Sequence, residues 1–389
     1  MNPNGDDSAH RTAPGSDPES PVAALADLEA WKARKTYPST LLAGGPVFGI
    51  ARERAEGGWE VQPYFSGLAP QDARDSLAGY LRGLAEQPEG SPDENPEGAP
   101  AAGPPAPAPA DRPAAPRADY LAAADRLDRA EADEVTAGGE RFRVIRAERF
   151  IRMGPDGPEP PRATDPDPAH GAGRGGDPVA APDPAAGLVI DPVSPGGSEG
   201  VLDAELLAAL RRNDTVPNDV YDDSRVAART HPGTLLLPAS FMTAEREGGR
   251  WRPHSTGTAA TPHDARDGLA VHLRVLVPWQ RDLTPGEHEV YKRAADLLDA
   301  EQPDELDVAG RHFRIVRVER LVRVGPDGPE GPRPSDLDPL PTDSRIPDQP
   351  LPPHDDEPAA EPDARTRRFL ELFEEEARRR TSRDRESRP

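Results

Sequence analysis

The pattern Arg-x-Glu-Arg is the strongest chemical feature of the sequence. It occurs at Arg146, Glu148 and Arg149 and again at Arg317, Glu319 and Arg320. Residues two apart share one face of a strand, so Arg146 and Glu148 are expected to pair. Arginine presents a planar fork of donors that fits a carboxylate or a phosphate. We therefore predict that these six side chains form a patch for a ligand or a partner. The alternative is a structural ion pair on a half-covered sheet, because perturbed charges are often structural.

The other reactive residue types predict no catalytic residue, no metal and no cofactor. The sequence has no cysteine, which excludes disulfides, a thiolate nucleophile and cysteine-ligated metals. Its nine histidines include no His-x-x-x-His pair, and none lies between residues 11 and 169. A Gly-x-Ser-x-Gly elbow and a Gly-Lys-Ser/Thr phosphate loop after a strand are also missing. The sequence thus offers no signature of a hydrolase or a nucleotide-binding enzyme.

Two more sequence features occur at matching places in the two halves of the chain. The segment GPDGPE, at 154–159 and 325–330, has carboxylates but lacks the spacing of a calcium loop, so we predict a turn. Trp59 and Trp251 occupy matching hairpin positions. We expect both to anchor the core, although an exposed aromatic beside arginine could also stack on a ring-shaped ligand.

These repeated motifs belong to a duplication. Phe142–Pro168 and Phe313–Pro339 align without a gap at an offset of 171 residues, with 17 identities in 27 positions. Further upstream the offset becomes about 192–194, which brings Pro70–Asp75 onto Pro262–Asp267. A proline-rich insertion at 88–118 explains the change. The sequence therefore predicts one domain present twice.

Composition predicts that long stretches of the chain are linkers. The 389 residues include 50 prolines and 35 glycines, and only 35% are hydrophobic, against roughly 45–50% in globular proteins. Such stretches bury too little apolar surface to offset their ordering entropy. The predicted organisation is a disordered N-terminus (1–20), a first copy (21–159) with a disordered insertion (88–118), a linker (160–200), a second copy (201–330), a proline-rich linker (331–362) and a C-terminal helix with an arginine-rich tail (363–389).

Periodicity predicts the elements of each copy. Two apolar runs around a Gly-Gly pair indicate a hairpin, which two amphipathic helices and a second hairpin follow. The predicted class is α+β: a duplicated β-β-α-α-β-β unit with a four-stranded, mainly antiparallel sheet and helices on one face. Thr261 is a good N-cap for the first helix of the second copy, whereas the first copy has Ala69 there. The first turn of that helix should therefore be less stable than its counterpart in the second copy.

The last strand of each copy is long and apolar on both faces. In the first copy Ile145 and Ile151 lie on one face and Phe142 lies on the other. A strand of this kind is covered on both sides. We therefore expect the copies to pack as a pseudo-two-fold pair through the face that carries Arg149 and Arg320.

The C-terminal segment has the pattern of a separate amphipathic helix. Its apolar stripe contains Phe369, Leu370, Leu372 and Phe373, and we predict that the stripe docks on a partner or folds back on its own domains. Residues 364–389 hold nine arginines and six acidic residues. The formal net charge of −23 for the whole chain argues against nucleic acid as a partner.

The quoted motifs resemble an uncharacterised actinobacterial domain family of unknown function. The resemblance rests on GGPVFGIARER (44–54), PQDARD (70–75), YLAAADRL (120–127) and RFRVIRAERFIRMGPDGPEPPR (141–162), and the second copy carries the same pattern more loosely. It implies two tandem copies and a bacterial cytoplasmic setting. It implies no activity, cofactor or catalytic residue.

We predict a non-enzymatic interaction or ligand-sensing module with a protein partner. The alternative is an enzyme of unknown reaction with a site of Asp, Glu and Arg residues at the junction of the two copies. The segment Met1–Asp17 has no apolar run of the signal-peptide type, and no window approaches the roughly 18 apolar residues of a membrane span. The expected location is the cytoplasm.

Overall fold

A computed structural model describes residues 21–63, 65–86, 117–167, 183–191, 200–212, 216–281, 283–338 and 363–386. The insertion predicted at 88–118 lies outside these residues, except for its last two positions. The predicted N-terminal segment 1–20 also lies outside them, as do residues 168–182, 192–199 and 339–362 of the predicted linkers.

The described residues form helices and strands in the order that periodicity predicts for each repeat, with additional helices around them. The α-helices are α1 (Pro21–Thr36), α2 (Pro70–Glu86), α3 (Arg117–Arg129), α4 (Gly200–Arg212), α5 (Asn218–Thr230), α6 (Pro262–Val271), α7 (Val277–Gln280), α8 (Pro285–Glu301) and α9 (Ala364–Glu386). A π-helical segment, His272–Leu276, joins α6 to α7. The strands are β1 (Ser39–Leu42), β2 (Val47–Glu53), β3 (Trp59–Val61), β4 (Glu134–Ala137), β5 (Glu140–Gly154), β6 (Gly157–Pro158), β7 (Val189–Ile190), β8 (Gly233–Glu247), β9 (Arg250–Ala259), β10 (Glu305–Val308), β11 (Arg311–Gly325) and β12 (Gly328–Pro329).

These strands form one sheet of twelve, with the order β7-β3-β2-β5-β11-β8-β9 along its main path. The strands β1, β4 and β6 also pair with β5, and β10 and β12 pair with β11. The α+β class is confirmed, but the prediction of a four-stranded sheet is not. The physical reason is that β4 and β6 cover only the two ends of one edge of β5. The unpaired backbone groups between them are satisfied by β11.

The long strands β5 and β11 meet edge to edge and antiparallel, with Ile151 opposite Val318 and Arg149 opposite Arg320. Arg320 is the counterpart of Arg149 in the second sequence repeat, so a local two-fold axis passes between the two residues. The expected packing of the repeats through one sheet face is therefore wrong. Backbone hydrogen bonds join them instead.

Each repeat has its own helix-covered core. In the first, α2 and α3 pack on the sheet around Leu77, Leu127 and Phe142, which are all buried. In the second, α6 and α8 pack in the same way around Leu298 and Phe313.

The two equivalent helices begin differently, as their sequences predict. Thr261 caps α6, since its side chain accepts a hydrogen bond of 3.1 Å from the backbone N–H of Asp264. Ala69 has no side-chain oxygen to do this for α2. Instead the carboxylate of Asp72 reaches back and accepts from the backbone N–H groups of Leu68 and Ala69. One half of a capping box thus remains.

Candidate ligand site at the junction of the repeats

The junction divides the six predicted site residues into three groups. Arg149 and Arg320 lie side by side at the centre of the β5–β11 pair, on one face of the sheet. Arg146 and Glu148 project from the other face of β5, and their counterparts on β11 do the same. The structure therefore brings the arginine pair together and holds the two Arg-Glu pairs in separate clusters.

The first cluster is a buried ion network around Glu148. One of its oxygens accepts 2.8 Å hydrogen bonds from both Arg146 and Arg333. Arg146 also donates through Nε to both oxygens of Asp336, at 3.0 and 2.9 Å. Arg333 in turn holds Glu330 with two further bonds, of 2.6 and 3.0 Å. All five side chains are thus engaged in ion pairs.

The second cluster repeats this arrangement with the counterparts of each residue. Arg317 donates to both oxygens of Asp165 at 3.1 Å and also bonds Glu319. Arg162 bonds Glu319 at 3.3 Å and Glu159 at 2.7 Å. Every residue of this cluster lies 171 positions before or after its counterpart. The networks therefore follow the sequence repeat.

The two clusters are built by an exchange of segments between the repeats. We call residues 157–167 and 328–338, which follow the GPDG turns, the two clasps. The first clasp ends on the second repeat, where Asp167 bonds Arg266 at 2.7 Å. The second ends on the first repeat, where Asp338 bonds Arg74 at 2.5 Å. Each repeat is therefore held by the C-terminal segment of the other.

The GPDG turns themselves touch the other repeat. Gly157 and Gly328 have φ values of +118° and +117°. A Cβ atom at Gly157 would strike the indole of Trp251, and one at Gly328 would strike that of Trp59. Glycine is required there both for its backbone conformation and for the space. Trp59, at 2% exposed, is a core anchor as predicted.

Electrostatic interactions within the first cluster keep Glu148 and Arg333 in their charged forms. Burial on its own would raise the pKa of Glu148, but the charges of Arg146 and Arg333 outweigh burial and hold that pKa well below its usual value. Burial would lower the pKa of Arg333, yet Glu148 and Glu330 raise it overall. A carboxylate held so firmly ionised is a poor general acid or base at neutral pH.

The guanidinium group of Arg320 is paired both with a backbone carbonyl and with a carboxylate. Its Nε and Nη2 atoms donate to the carbonyl oxygen of Pro238, at 3.0 and 2.7 Å. Its Nη1 and Nη2 atoms bond the two carboxylate oxygens of Asp183, at 2.6 and 2.9 Å. The buried charge is therefore neutralised by a bidentate carboxylate.

Arg149 makes an equivalent hydrogen bond to a backbone carbonyl but has no carboxylate partner among the described residues. Its Nε atom donates to the carbonyl oxygen of Gly45 at 2.9 Å, as that of Arg320 does to Pro238. The side chain is buried, with the residue 6% exposed, but no carboxylate among the described residues pairs with it. Burial lowers its pKa, and the charge of Arg320 lowers it further. The guanidinium of Arg149 is thus the incomplete member of a symmetric pair.

The backbone bend that supplies the hydrogen-bond acceptor of Arg149 is exposed. Gly44 and Gly45 form the bend between β1 and β2, with φ values of +82° and +102°. Both are exposed, and a Cβ atom built on either would meet nothing within 4 Å. The backbone of this bend is therefore open to solvent beside the carbonyl that Arg149 binds.

The sequence prediction missed the partners of the six residues. Glu159, Arg162, Asp165 and their counterparts lie in the aligned repeat, so the recurring spacing of Glu, Arg and Asp after GPDG was the available signal. Asp183 carried no such signal, because it lies in the stretch predicted to be a linker. Residues 183–191 instead reach β3, where β7 joins the edge of the sheet.

The C-terminal helix α9 folds back on the second repeat. Phe369 packs on Trp279 with 5.3 Å between ring centroids, and Arg274 of the π-helical segment pairs with a glutamate of α9 at 3.5 Å. Leu370 and Phe373 remain 45% and 53% exposed. A further partner for that exposed part of the stripe stays a prediction.

Two histidines lie inside the second repeat, where the sequence predicted no histidine site. The rings of His254 and His272 have centroids 4.4 Å apart. His272 is 5% exposed, and neither of its ring nitrogens has a hydrogen-bond partner. Burial, followed by the charge of His254, lowers the pKa of His272 to about 4.

Within the described residues, no helix is long and apolar enough to cross a membrane. No group of three or more His, Asp and Glu residues there is arranged to hold a metal ion.

Comparison with known proteins gives a family match. No curated protein and no solved structure matches the chain. The model of a family of unknown function (DUF5954) matches residues 20–103 and 106–339, which is consistent with tandem copies of one domain. The gap between the two matches falls in the proline-rich insertion. Because the matched stretches cover most of the sequence, the chain belongs to this family of unknown function, DUF5954.

Proposed function

We propose that the protein is a non-enzymatic ligand-binding module, built from two copies of one β-β-α-α-β-β unit, with an anion site at Arg149 where the copies meet. The duplication is supported by the matching element order and by the constant offset of 171 residues between the two ion clusters. The proposed copies keep the predicted bounds 21–159 and 201–330, and each carries its clasp into the stretch beyond. A protein partner and a cytoplasmic location stay predictions.

One observation carries this proposal. Of the six predicted site residues, five are engaged in ion pairs with carboxylates or arginines of the chain, whereas Arg149 has no such partner among the described residues. A buried cation without a counter-charge is costly, and a bound anion would remove that cost. Arg149 is therefore the residue of the junction that is available to bind an anion.

Catalysis is supported less well. Glu148 and Glu319 each accept from two arginine side chains, and the pKa of Glu148 is held low. Proton transfer at neutral pH needs a pKa near the working pH. The enzyme alternative would therefore have to use groups other than these.

The test is a thermal-unfolding screen of the full-length chain against acetate, succinate, phosphate and sulfate at pH 7. We expect at least one anion to raise the melting temperature by several degrees, since saturation at 100 times Kd stabilises a protein by about 2.7 kcal/mol. Arg149→Gln should abolish the shift. Arg129→Gln, at an exposed ion pair on α3, is the matched control and should keep it.

Two outcomes would contradict the proposal. An equal shift in Arg149→Gln would mean that the anion binds elsewhere. Conversion of the bound compound during incubation, followed by NMR of the ligand, would favour the enzyme alternative.

A further inference from the structure

Residues 183–191 fill a position in the first repeat that has an equivalent in the second. The segment lies along β3, with Trp59 opposite Ile190. Val61 donates its backbone N–H to the carbonyl of Leu188 at 2.8 Å. Ala185 and Ile190 are fully buried in one cluster with Trp59. From this position Asp183 reaches across the axis to Arg320.

The floor beneath the segment is repeated on the other side of the axis. Under Ala185 and Ile190 lie Ile145, Ala147 and Val322. Their counterparts across the axis are Val316, Val318 and Ile151, which form a cluster of their own. The partly exposed members of that second cluster are Leu41, Met153 and Trp251. The floor is therefore apolar and buried on both sides, and the edge of the second cluster reaches solvent at these three side chains.

The hydrogen-bonding edge of β3, in contrast, has no full equivalent in β9. In β9 the position of Val61 is taken by Pro253, since Ala51 pairs with Val61 and its counterpart Ala244 pairs with Pro253. Proline has no N–H to donate, so the bond that Val61 makes to the chain segment has no equivalent. A peptide strand is disfavoured at β9, whereas a small molecule needs no such bond.

These observations together point to one class of ligand. Building on the proposed function, we propose that Arg149 binds the carboxylate of a small organic acid whose apolar body lies on the partly exposed side chains of Leu41, Met153 and Trp251. The carboxylate would accept from both terminal nitrogens of Arg149, in the way that Asp183 accepts from Arg320. The apolar body would cover the partly exposed edge of the second cluster, much as Ala185 and Ile190 cover the first cluster.

The experiment is calorimetric titration of the full-length chain with hexanoate, acetate, hexanol and inorganic phosphate at pH 7. Hexanoate should bind at one site per chain and tighter than acetate, by up to about fourfold for each methylene that becomes buried, the equivalent of about 0.8 kcal/mol. Hexanol lacks the carboxylate and should not bind. Arg149→Gln should abolish binding, and Arg149→Lys should weaken it because lysine cannot form the bidentate pair. Arg129→Gln is again the control.

A second variant tests the internal comparison with Arg320. Asp183→Asn removes the carboxylate that neutralises Arg320, and it should give a second site for acetate, so that two bind per chain. Arg149→Gln combined with Asp183→Asn should return the number to one. Circular dichroism of each variant establishes that it is folded.

The outcomes separate this inference from the proposed function. Binding of phosphate at Arg149 without binding of hexanoate would overturn the carboxylate inference and leave the anion site standing. Failure of every anion would overturn both. The sequence Glu357-Pro358-Ala359-Ala360 resembles Asp183-Pro184-Ala185-Ala186. If hexanoate binds only after Glu357→Gln, an acid of the chain itself is the ligand and the small-molecule inference is wrong.

Discussion

The clasp residue Arg333 should be a major determinant of stability, because it ties the second clasp to β5 of the first repeat. Its side chain is 4% exposed, and it makes hydrogen bonds to Glu148, Glu330 and Ser224. Arg333→Met keeps much of the volume and removes the charge. Among the described residues, Glu330 would then keep only its ion pair with Arg323, at 3.9 Å.

The magnitude follows from burial. Removing one partner of a buried ion pair costs about 3–5 kcal/mol, because the remaining charge stays desolvated. We expect Arg333→Met to lower the free energy of unfolding by an amount in this range. Glu148→Gln should cost a similar amount. The double variant should cost less than the sum, since residues of one network couple by about 0.5–3 kcal/mol.

Urea unfolding, followed by far-UV circular dichroism, measures these free energies. The control is Arg129→Met, whose ion pair with Asp125 is 75% and 55% exposed. Pairs of that kind contribute about 0–1 kcal/mol. The reasoning is refuted if Arg333→Met costs no more than Arg129→Met, or if the losses of Arg333→Met and Glu148→Gln simply add.

Three further predictions test other parts of the fold. Burial lowers the pKa of His272 to about 4, so the unfolded state is protonated first and stability falls between pH of about 6.5 and 4, by about 3 kcal/mol. His272→Phe should leave stability at pH 7 unchanged or higher and flatten this loss in a pH series of urea titrations. Gly328→Ala forces a side chain into a φ of +117° and against Trp59, so it should cost about 1–3 kcal/mol and change the near-UV spectrum of the indole; an unchanged melting temperature would refute the close contact. Ala69→Ser should stabilise α2, and Thr261→Ala should destabilise α6, each by about 0.5–2 kcal/mol; opposite or absent shifts in melting temperature would show that these positions are not the caps.

The sequence by itself determined the local structure. Apolar periodicity placed α2, α3 and the long strand β5, and the Gly-Gly pair placed the turn between β2 and β3. The side-chain oxygen of Thr261 and its absence at Ala69 set the two different helix starts. Each of these depends on residues within a few positions of one another, and such interactions are encoded in spacing and side-chain chemistry.

Only the tertiary structure decided how the repeats join and which charge remains without a partner. Both faces of β5 are apolar, so composition could not distinguish packing through a face from pairing along an edge. The partners of Glu148 and Arg320 are Arg333 and Asp183, which lie 185 and 137 positions away. Ion pairs over such distances are set by where the folded chain brings its segments. Within the described residues, the same placement leaves the side chain of Arg149 with the carbonyl oxygen of Gly45 as its hydrogen-bond partner.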